Sequence, residues 1–145
     1  MTQQEGGQAA AYKPRILTLS TVNISDIGID MAGSSHMHYP PSVTTLMLPC
    51  SSGIKPQWIL HAIEEGFDGV FIAADGTDCA LVPDCTERTA VIVGRSQELL
   101  KERGYDAARV KMAAICSVCA DSYVALIDDF FKSLSQLGPA KDKAA

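Results

Sequence analysis

Cysteine is the residue type of this chain whose number and spacing most directly suggest redox or metal chemistry. The chain has five cysteines, and two of them, Cys116 and Cys119, form a C-x-x-C pair within the segment ICSVCAD. Cys50, Cys79 and Cys85 precede this pair at wide spacings. A C-x-x-C pair is compatible with a disulfide, half of a zinc site, a thiol redox pair or part of an iron–sulfur site. Which of these applies depends on where the other three cysteines lie in the fold.

Composition limits the kind of protein that carries these cysteines. A chain of 145 residues with 47% hydrophobic and 20% charged residues is typical of one globular domain with its own core. The net charge of −5 disfavours nucleic acid as the main partner, because phosphate binding needs a basic surface. No apolar run reaches the roughly 20 residues that span a bilayer, and the amino terminus lacks an apolar signal core. We therefore expect a cytoplasmic protein without membrane insertion, in which cysteines serve as thiols, metal ligands or redox groups.

The ends of the chain differ in composition from its middle. Residues 1–13 are rich in Gln, Gly and Ala, and residues 138–145 follow a Gly–Pro pair that ends a helix. The sequence therefore predicts disordered tails at 1–13 and 138–145 around a single domain at 14–137.

Apolar runs alternate with amphipathic segments through this domain, and the connections between the runs are too long for hairpins. This alternation predicts an α/β fold of the small flavodoxin-like kind, a doubly wound sheet of about four parallel strands with helices on both faces. A thioredoxin-like layout would need an antiparallel strand pair, for which the sequence gives no sign. The predicted strands are 15–21, 43–50, 68–74 and 109–116, and the predicted helices are 25–34, with Ser25 as its N-cap, 55–67, 87–104 and 119–138.

All five cysteines fall near the carboxyl ends of the predicted strands. Cys50 ends the second strand, Cys79 and Cys85 lie in the predicted loop after the third, and Cys116 and Cys119 connect the fourth strand to the last helix. In an open parallel sheet these strand ends share one edge, where ligands bind. We therefore expect the five thiols to line one rim, although each alone has the simpler interpretation of a small buried core residue.

Three kinds of site remain open for such a rim. Structural zinc sites usually combine two tight cysteine pairs, and this chain has one, with a looser C-x5-C at Cys79 and Cys85. A C-x-x-C at a helix N-terminus, as at Cys116 and Cys119, is typical of thiol redox proteins. Four thiolates at looser spacing favour a [2Fe–2S] cluster. Other residues are weaker candidates: we expect His36 and His38 to be surface imidazoles rather than metal ligands.

The order of motifs between residues 30 and 79 resembles the delta subunits of methyl-viologen-reducing hydrogenases. The motifs are AGSS, YPP, CSSG, a helix that ends in AIEEGFDGV, and GTDC. The resemblance extends over about residues 14–137. It implies a small iron–sulfur electron carrier with one [2Fe–2S] cluster, which docks on a heterodisulfide-reductase A-like flavoprotein and passes electrons to a further redox module of a large, electron-bifurcating complex. We expect the loops 21–42 and 74–87 to form the docking surfaces.

The chain departs from the family pattern in its cysteines. The family usually has a C-x-x-C after the first strand, where this chain has STVNISDIG at 20–28 without a cysteine. The family cysteine at the end of the third strand is replaced by Ala74, whereas Cys50 and Cys79 match cysteines of the family.

The resemblance implies a ligand set in which the late C-x-x-C stands in for the missing early one. The predicted cluster ligands are Cys50, Cys79, Cys116 and Cys119, with Cys85 as the spare or as the replacement for Cys79. The alternatives are a thiol redox or zinc module that uses Cys116 and Cys119, and a structural adaptor without a cluster.

Overall fold

The four strands form one parallel sheet. The structure is a computed structural model, and it describes residues 12–77 and 79–140. The strand order is β2-β1-β3-β4 and every pairing is parallel, so the described residues contain none of the antiparallel pairs that a thioredoxin-like layout requires. The doubly wound α/β prediction is confirmed. The strands are β1 (Ile16–Thr21), β2 (Val43–Leu48), β3 (Gly69–Ala74) and β4 (Val110–Ala114).

Four α-helices cover the two faces of the sheet, and two short 3-10 turns accompany them. The first and last helices pack on one face and the middle two on the other, as right-handed crossovers between these strands require. No helix in the described ranges 12–77 and 79–140 has the length and apolar character needed to cross a membrane. The helices are α1 (Ser25–Ser34), α2 (Pro56–Glu64), α3 (Cys85–Glu102) and α4 (Ala120–Leu137), and the 3-10 turns are Ser51–Gly53 and Ala107–Arg109.

The central strand β3 separates two apolar cores. All six of its residues are buried, because β1 and β4 flank it and helices cover both faces. On one face Phe71 packs edge-on against Tyr123 of α4, with ring centroids 6.2 Å apart. On the other face Ile72 packs with Ile59 and Ile63 of α2. A continuous apolar strand with helices on both sides is what a buried parallel strand requires.

The N-cap of α1 and the start of α3 differ from the prediction. Ser25 is the first residue of α1 rather than its N-cap, and its hydroxyl donates to the Ala73 carbonyl at 2.8 Å and accepts from the Thr21 N–H at 2.7 Å. The helix α3 begins at Cys85, two residues before the predicted start at 87. Cys85 is therefore a helical residue and not a loop residue, and it faces the core instead of the solvent.

The opposite, amino-terminal edge of the sheet is closed by a buried polar cluster. Asp68 accepts from the backbone N–H groups of Arg15 at 2.9 Å and Ala140 at 3.0 Å. Arg109, which is 5% exposed, donates to the carbonyls of Asp68 and Gly138. The predicted tails 1–13 and 138–145 lie largely outside the described residues.

Candidate functional site at the carboxyl edge of the sheet

Every cysteine lies after the carboxyl end of β2, β3 or β4, as the sequence predicts, with Cys85 at the start of α3 rather than in a loop. The structure nevertheless separates these residues into distinct groups. One pair lies on the α4 side of the sheet, a second pair lies on the α3 side, and Cys79 lies apart in the loop after β3.

The first pair is a disulfide between Cys116 and Cys119. Cys119 immediately precedes α4, and its N–H donates to the Cys116 carbonyl at 3.1 Å, which makes the loop a tight turn. Val118, between the two cysteines, is 73% exposed. The Cys116 carbonyl also packs against Gly28 of α1, where a side chain would overlap it. The pair is thus an oxidised C-x-x-C at a helix N-terminus with one side open to solvent.

The second pair consists of Cys50 and Cys85, whose Sγ atoms lie 3.6 Å apart. Two hydroxyls hold these sulfurs: Ser52 Oγ lies 2.9 Å from Cys50 Sγ, and Ser51 Oγ lies 3.2 Å from Cys85 Sγ. The Thr89 hydroxyl donates to the Cys85 carbonyl at 2.7 Å, so Ser51 donates its single proton to Thr89 at 2.8 Å. The Ser51 oxygen is then left to accept the Cys85 S–H.

The two thiols of this pair differ in acidity. Burial raises the pKa of Cys50, but hydrogen bonds from the hydroxyl and the backbone N–H of Ser52 outweigh it, so the net pKa lies below the ordinary thiol value. Burial raises the pKa of Cys85, and the neighbouring Cys50 raises it further. Cys50 is the partly exposed member and Cys85 is fully buried. The pair therefore combines a partly exposed thiol of lowered pKa with a fully buried thiol of raised pKa.

Cys79 lies in the loop after β3 and belongs to neither pair. It is 6% exposed and borders a cavity of about 320 Å³ together with Asn23, Ile24, Ala80 and Leu81. The sequence prediction named Cys79 as a ligand and Cys85 as the spare. The residue that the structure places against Cys50 is Cys85.

The sulfurs as arranged do not fit a single four-thiolate cluster. Cys50 follows β2 and Cys116 follows β4, the two outer strands, so three strand spacings of about 4.8 Å place these loops roughly 14 Å apart. Within the described residues, no group of three or more His, Cys, Asp or Glu side chains is positioned to hold a metal ion. The ligand set Cys50, Cys79, Cys116 and Cys119 therefore stays a prediction.

A buried polar network lies at the carboxyl ends of β1 and β3, next to the segment 20–28 that has no cysteine. The hydroxyl of Thr21, at the end of β1, donates to Asp75, at the end of β3, and also contacts Ser25. Ser20 donates to Asp26 at 2.8 Å. This network was not predicted, although serine and threonine after a buried strand are a sequence signal for it. His36 and His38 are exposed, as predicted.

An apolar groove runs along the outer strand β2 and ends near Cys50. One part of it has a volume of about 400 Å³ between β2 and α2, and a smaller part of about 220 Å³ adjoins Cys50. Leu48 and Trp58 line both parts. Trp58 is 52% exposed, so it is not a core residue.

Comparison with known proteins adds a family to this geometry. The sequence profile of the family described as "Methyl-viologen-reducing hydrogenase, delta subunit" matches residues 16–138. The chain is 29% identical over 135 residues to an iron-sulfur subunit of the F420-non-reducing hydrogenase of Archaeoglobus profundus, covering 90% of this chain and 95% of that protein. It is 30% identical over 131 residues to the vhc iron-sulfur subunit of the F420-non-reducing hydrogenase of Methanococcus voltae, covering 90% and 91%.

A second kind of relative is much longer than this chain. The chain is 31% identical over 114 residues to the A-type subunit of the Ferredoxin:CoB-CoM heterodisulfide reductase of Methanosarcina mazei. That match covers 76% of this chain but 14% of the reductase subunit. The same domain thus occurs as a nearly complete protein and as a small part of a larger one.

Proposed function

Because the chain belongs to the family of methyl-viologen-reducing hydrogenase delta subunits, we propose that it is an electron-transfer subunit of an oxidoreductase complex of the hydrogenase–heterodisulfide reductase kind. Its relatives of matching length are named as iron-sulfur subunits of F420-non-reducing hydrogenases. This electron-transfer role requires no substrate reaction of its own.

The proposed main partner is a heterodisulfide-reductase A-like flavoprotein. This proposal rests on one observation: the domain is a separate subunit in the hydrogenases and a segment of the A-type subunit in the heterodisulfide reductase. Where the domain is a covalent segment of the reductase subunit, it has a surface that fits the rest of that subunit. We expect the domain to keep this surface where it is a separate chain. A further redox protein would complete the relay.

The carboxyl edge is the side on which we propose that the partner docks. Four large apolar side chains in or next to the loops of this edge are each at least 46% exposed. Two of them flank the start of α1, one follows β3 and one lies inside the disulfide loop. Exposed apolar residues clustered around redox groups are typical of a surface covered by a partner. They are Val22, Ile27, Leu81 and Val118.

The carrier proposed from the sequence is a [2Fe–2S] cluster held by Cys50, Cys79, Cys116 and Cys119. The names of the hydrogenase relatives support an iron–sulfur group. Such a cluster, when bound, supplies a one-electron carrier. The positions of the sulfur atoms do not support this cluster. The Cys116–Cys119 disulfide would have to be reduced, and the loops after the outer strands β2 and β4 would have to approach each other. We therefore derive no electron path through it.

The second candidate carrier is the Cys116–Cys119 couple itself, and the disulfide favours it. Two electrons and two protons from a reduced flavin of the partner would convert the disulfide into two thiols, and a disulfide or metal centre of the next module would take the electrons. A zinc site at this pair would require both sulfurs as free thiolates, which the disulfide precludes in this state.

One experiment separates these proposals. The complex is purified anaerobically with its native partners, and iron, acid-labile sulfide and electron flow from donor to acceptor are measured for the wild type, Cys50→Ser and Cys116→Ser. A cluster with the predicted ligands predicts iron in the wild type and its loss in both variants. A dithiol carrier predicts no iron in the chain and loss of electron flow in Cys116→Ser alone.

Two further outcomes would contradict the proposals. Unchanged electron flow after replacement of all five cysteines would leave the structural adaptor as the remaining role. Purification of the chain without a flavoprotein partner, under conditions in which hydrogenase and heterodisulfide reductase complexes stay assembled, would contradict the proposed partner.

A further inference from the structure

We propose that Cys50 and Cys85 are a dithiol–disulfide couple that reduces small aliphatic disulfides bound over Trp58. Neither residue of this couple belongs to the C-x-x-C motif, and they are 35 positions apart in the sequence. The chemistry needs neither a partner chain nor a metal, and it uses Cys50 as a free thiol rather than as a ligand of the proposed cluster.

The sulfur atoms are already close to bonding distance. They lie 3.6 Å apart, and a disulfide requires about 2.05 Å, so closure needs a movement of roughly 1.5 Å. Cys50 precedes the short turn Ser51–Gly53 and follows the outer strand β2, whereas Cys85 is fixed as the first residue of an 18-residue helix. The turn that carries Cys50 is the smaller of the two elements, so we expect it to move.

The two sulfurs differ in access, and this difference assigns their roles. Cys50 is partly exposed, and Cys85 is fully buried behind it. A disulfide from solution therefore reaches Cys50 first. Cys85 can react only with a sulfur that is already attached to Cys50, which is the role of a resolving thiol.

The pocket beside Cys50 indicates the class of disulfide. It has a volume of about 220 Å³ and is lined by Leu48, Pro49, Gly53 and Trp58 besides the cysteine. It continues into the apolar groove of about 400 Å³, with which it shares Leu48 and Trp58. Among the residues that the structure describes, no charged side chain lines the part next to the sulfur. Apolar walls favour an alkyl substituent over a charged one, because ionised groups lose hydration there without gaining a partner.

The reaction balances with the disulfide as the oxidant. The Cys50 thiolate attacks R–S–S–R, which forms Cys50–S–S–R and releases RS⁻. Cys85 then attacks the Cys50 sulfur, the Cys50–Cys85 bond forms, a second RS⁻ leaves, and the Cys85 proton passes to the released thiolates. In sum, two protein thiols and one disulfide give one protein disulfide and two molecules of RSH.

The test uses the full chain. The chain is first reduced, then freed of reductant and metal under anaerobic conditions, and finally mixed with dibutyl disulfide. Free thiols are then alkylated and the digest is mapped by mass spectrometry. We expect a peptide that links Cys50 to Cys85 in the wild type. In Cys85→Ser the reaction should stop at a butylthio adduct on Cys50. In Cys50→Ser the thiol of Cys85 should acquire no butylthio group. Cys79, which is buried outside the pair, is the internal control and should be recovered alkylated.

A second variant tests the pocket. Trp58→Ala should slow the reaction with dibutyl disulfide about tenfold, the equivalent of roughly 1.4 kcal/mol of lost binding, and should leave the slower reaction with glutathione disulfide within about twofold. Circular dichroism of each variant confirms the fold. The proposal is overturned if the wild type yields no Cys50–Cys85 peptide, if Cys85 is modified before Cys50, or if glutathione disulfide reacts faster than dibutyl disulfide. The wild-type map decides the matter even if a variant fails to fold.

Discussion

Replacing Gly28 by alanine should destabilise the fold through the disulfide loop. A Cβ at this position of α1 would overlap the carbonyl oxygen of Cys116 and lie 3.3 Å from Cγ2 of Ile115. The obstacle is backbone, so a rotation of a side chain cannot relieve the overlap. The loop that contains the disulfide must move away from α1, or α1 must move away from the sheet.

The magnitude follows from two opposing effects. Overpacking at a site of this kind costs about 1–3 kcal/mol, and a rigid backbone neighbour places Gly28→Ala near the upper end. Alanine is favoured over glycine inside a helix by about 1 kcal/mol, which opposes this cost. The net expectation is a loss of about 2 kcal/mol in the free energy of unfolding. For a chain of this size that corresponds to a fall in Tm of roughly 4–8 °C.

The same helix supplies a matched control. A Cβ on Gly33 would meet no atom within 4 Å, so Gly33→Ala keeps the gain in helix propensity without the overlap. We expect this variant to be as stable as the wild type or up to about 1 kcal/mol more stable. The two variants thus differ by about 2–3 kcal/mol in the free energy of unfolding, although they make the same chemical change in one helix.

Two assays check this prediction. Urea denaturation followed by circular dichroism, without reductant, gives the free energy of unfolding. The rate at which dithiothreitol reduces Cys116–Cys119, followed by mass spectrometry, reports on the loop, and it should rise in Gly28→Ala alone. A Gly28→Ala chain as stable as Gly33→Ala would refute the reasoning about the packing of α1 on this loop.

Three further predictions concern the core and the second cysteine pair. Gly69→Ala should cost about 1–3 kcal/mol in urea denaturation, because its Cβ would lie 2.8 Å from a ring atom of Phe130 in α4. Burial raises the pKa of Tyr123 to about 12, whereas the same tyrosine in the unfolded chain titrates near 10. The stability that its neutral hydroxyl contributes should therefore be lost as the pH rises from 10 to 12. Thermal melts across that range should show a smaller loss in Tyr123→Phe, and an equal loss in both chains would contradict the assignment. Ser52→Ala should raise the pKa of Cys50, because it removes a hydrogen bond of about 1 kcal/mol to the thiolate form. Alkylation of Cys50 by iodoacetamide at pH 7 should therefore slow about fivefold. An unchanged pH profile of the alkylation rate would exclude that hydrogen bond as the cause of the lowered pKa.

The fold could be predicted from the sequence because its signals are local. Apolar runs of strand length alternate with amphipathic segments, and the long connections exclude hairpins. The helix that ends at Leu137 before Gly138 matches its predicted end within one residue. The start of α3 was less predictable: the predicted loop runs to residue 86, whereas the helix begins at Cys85, directly after Asp84.

The edge that carries the cysteines was also predictable, since every carboxyl end of a parallel strand reaches the same edge. The burial of individual side chains was not predictable from the sequence. Trp58 lies at the right spacing for the α2 core, but the outer position of β2 leaves it half exposed. Tyr123, by contrast, is fully buried against Phe71 although its hydroxyl gave no reason to expect it in the core.

By itself the sequence determined the parallel sheet, the family and the gathering of five cysteines at one edge. The tertiary structure alone decided which sulfurs meet. Strand order is set by the crossovers, and it puts β2 and β4 on opposite sides of the sheet, so Cys116 pairs with its neighbour Cys119. Cys50 instead meets Cys85, because α3 packs over the turn that follows β2. Sequence spacing allows the Cys116–Cys119 contact, whose residues are three positions apart. It does not record the contact between Cys50 and Cys85, which depends on the order in which distant strands pair.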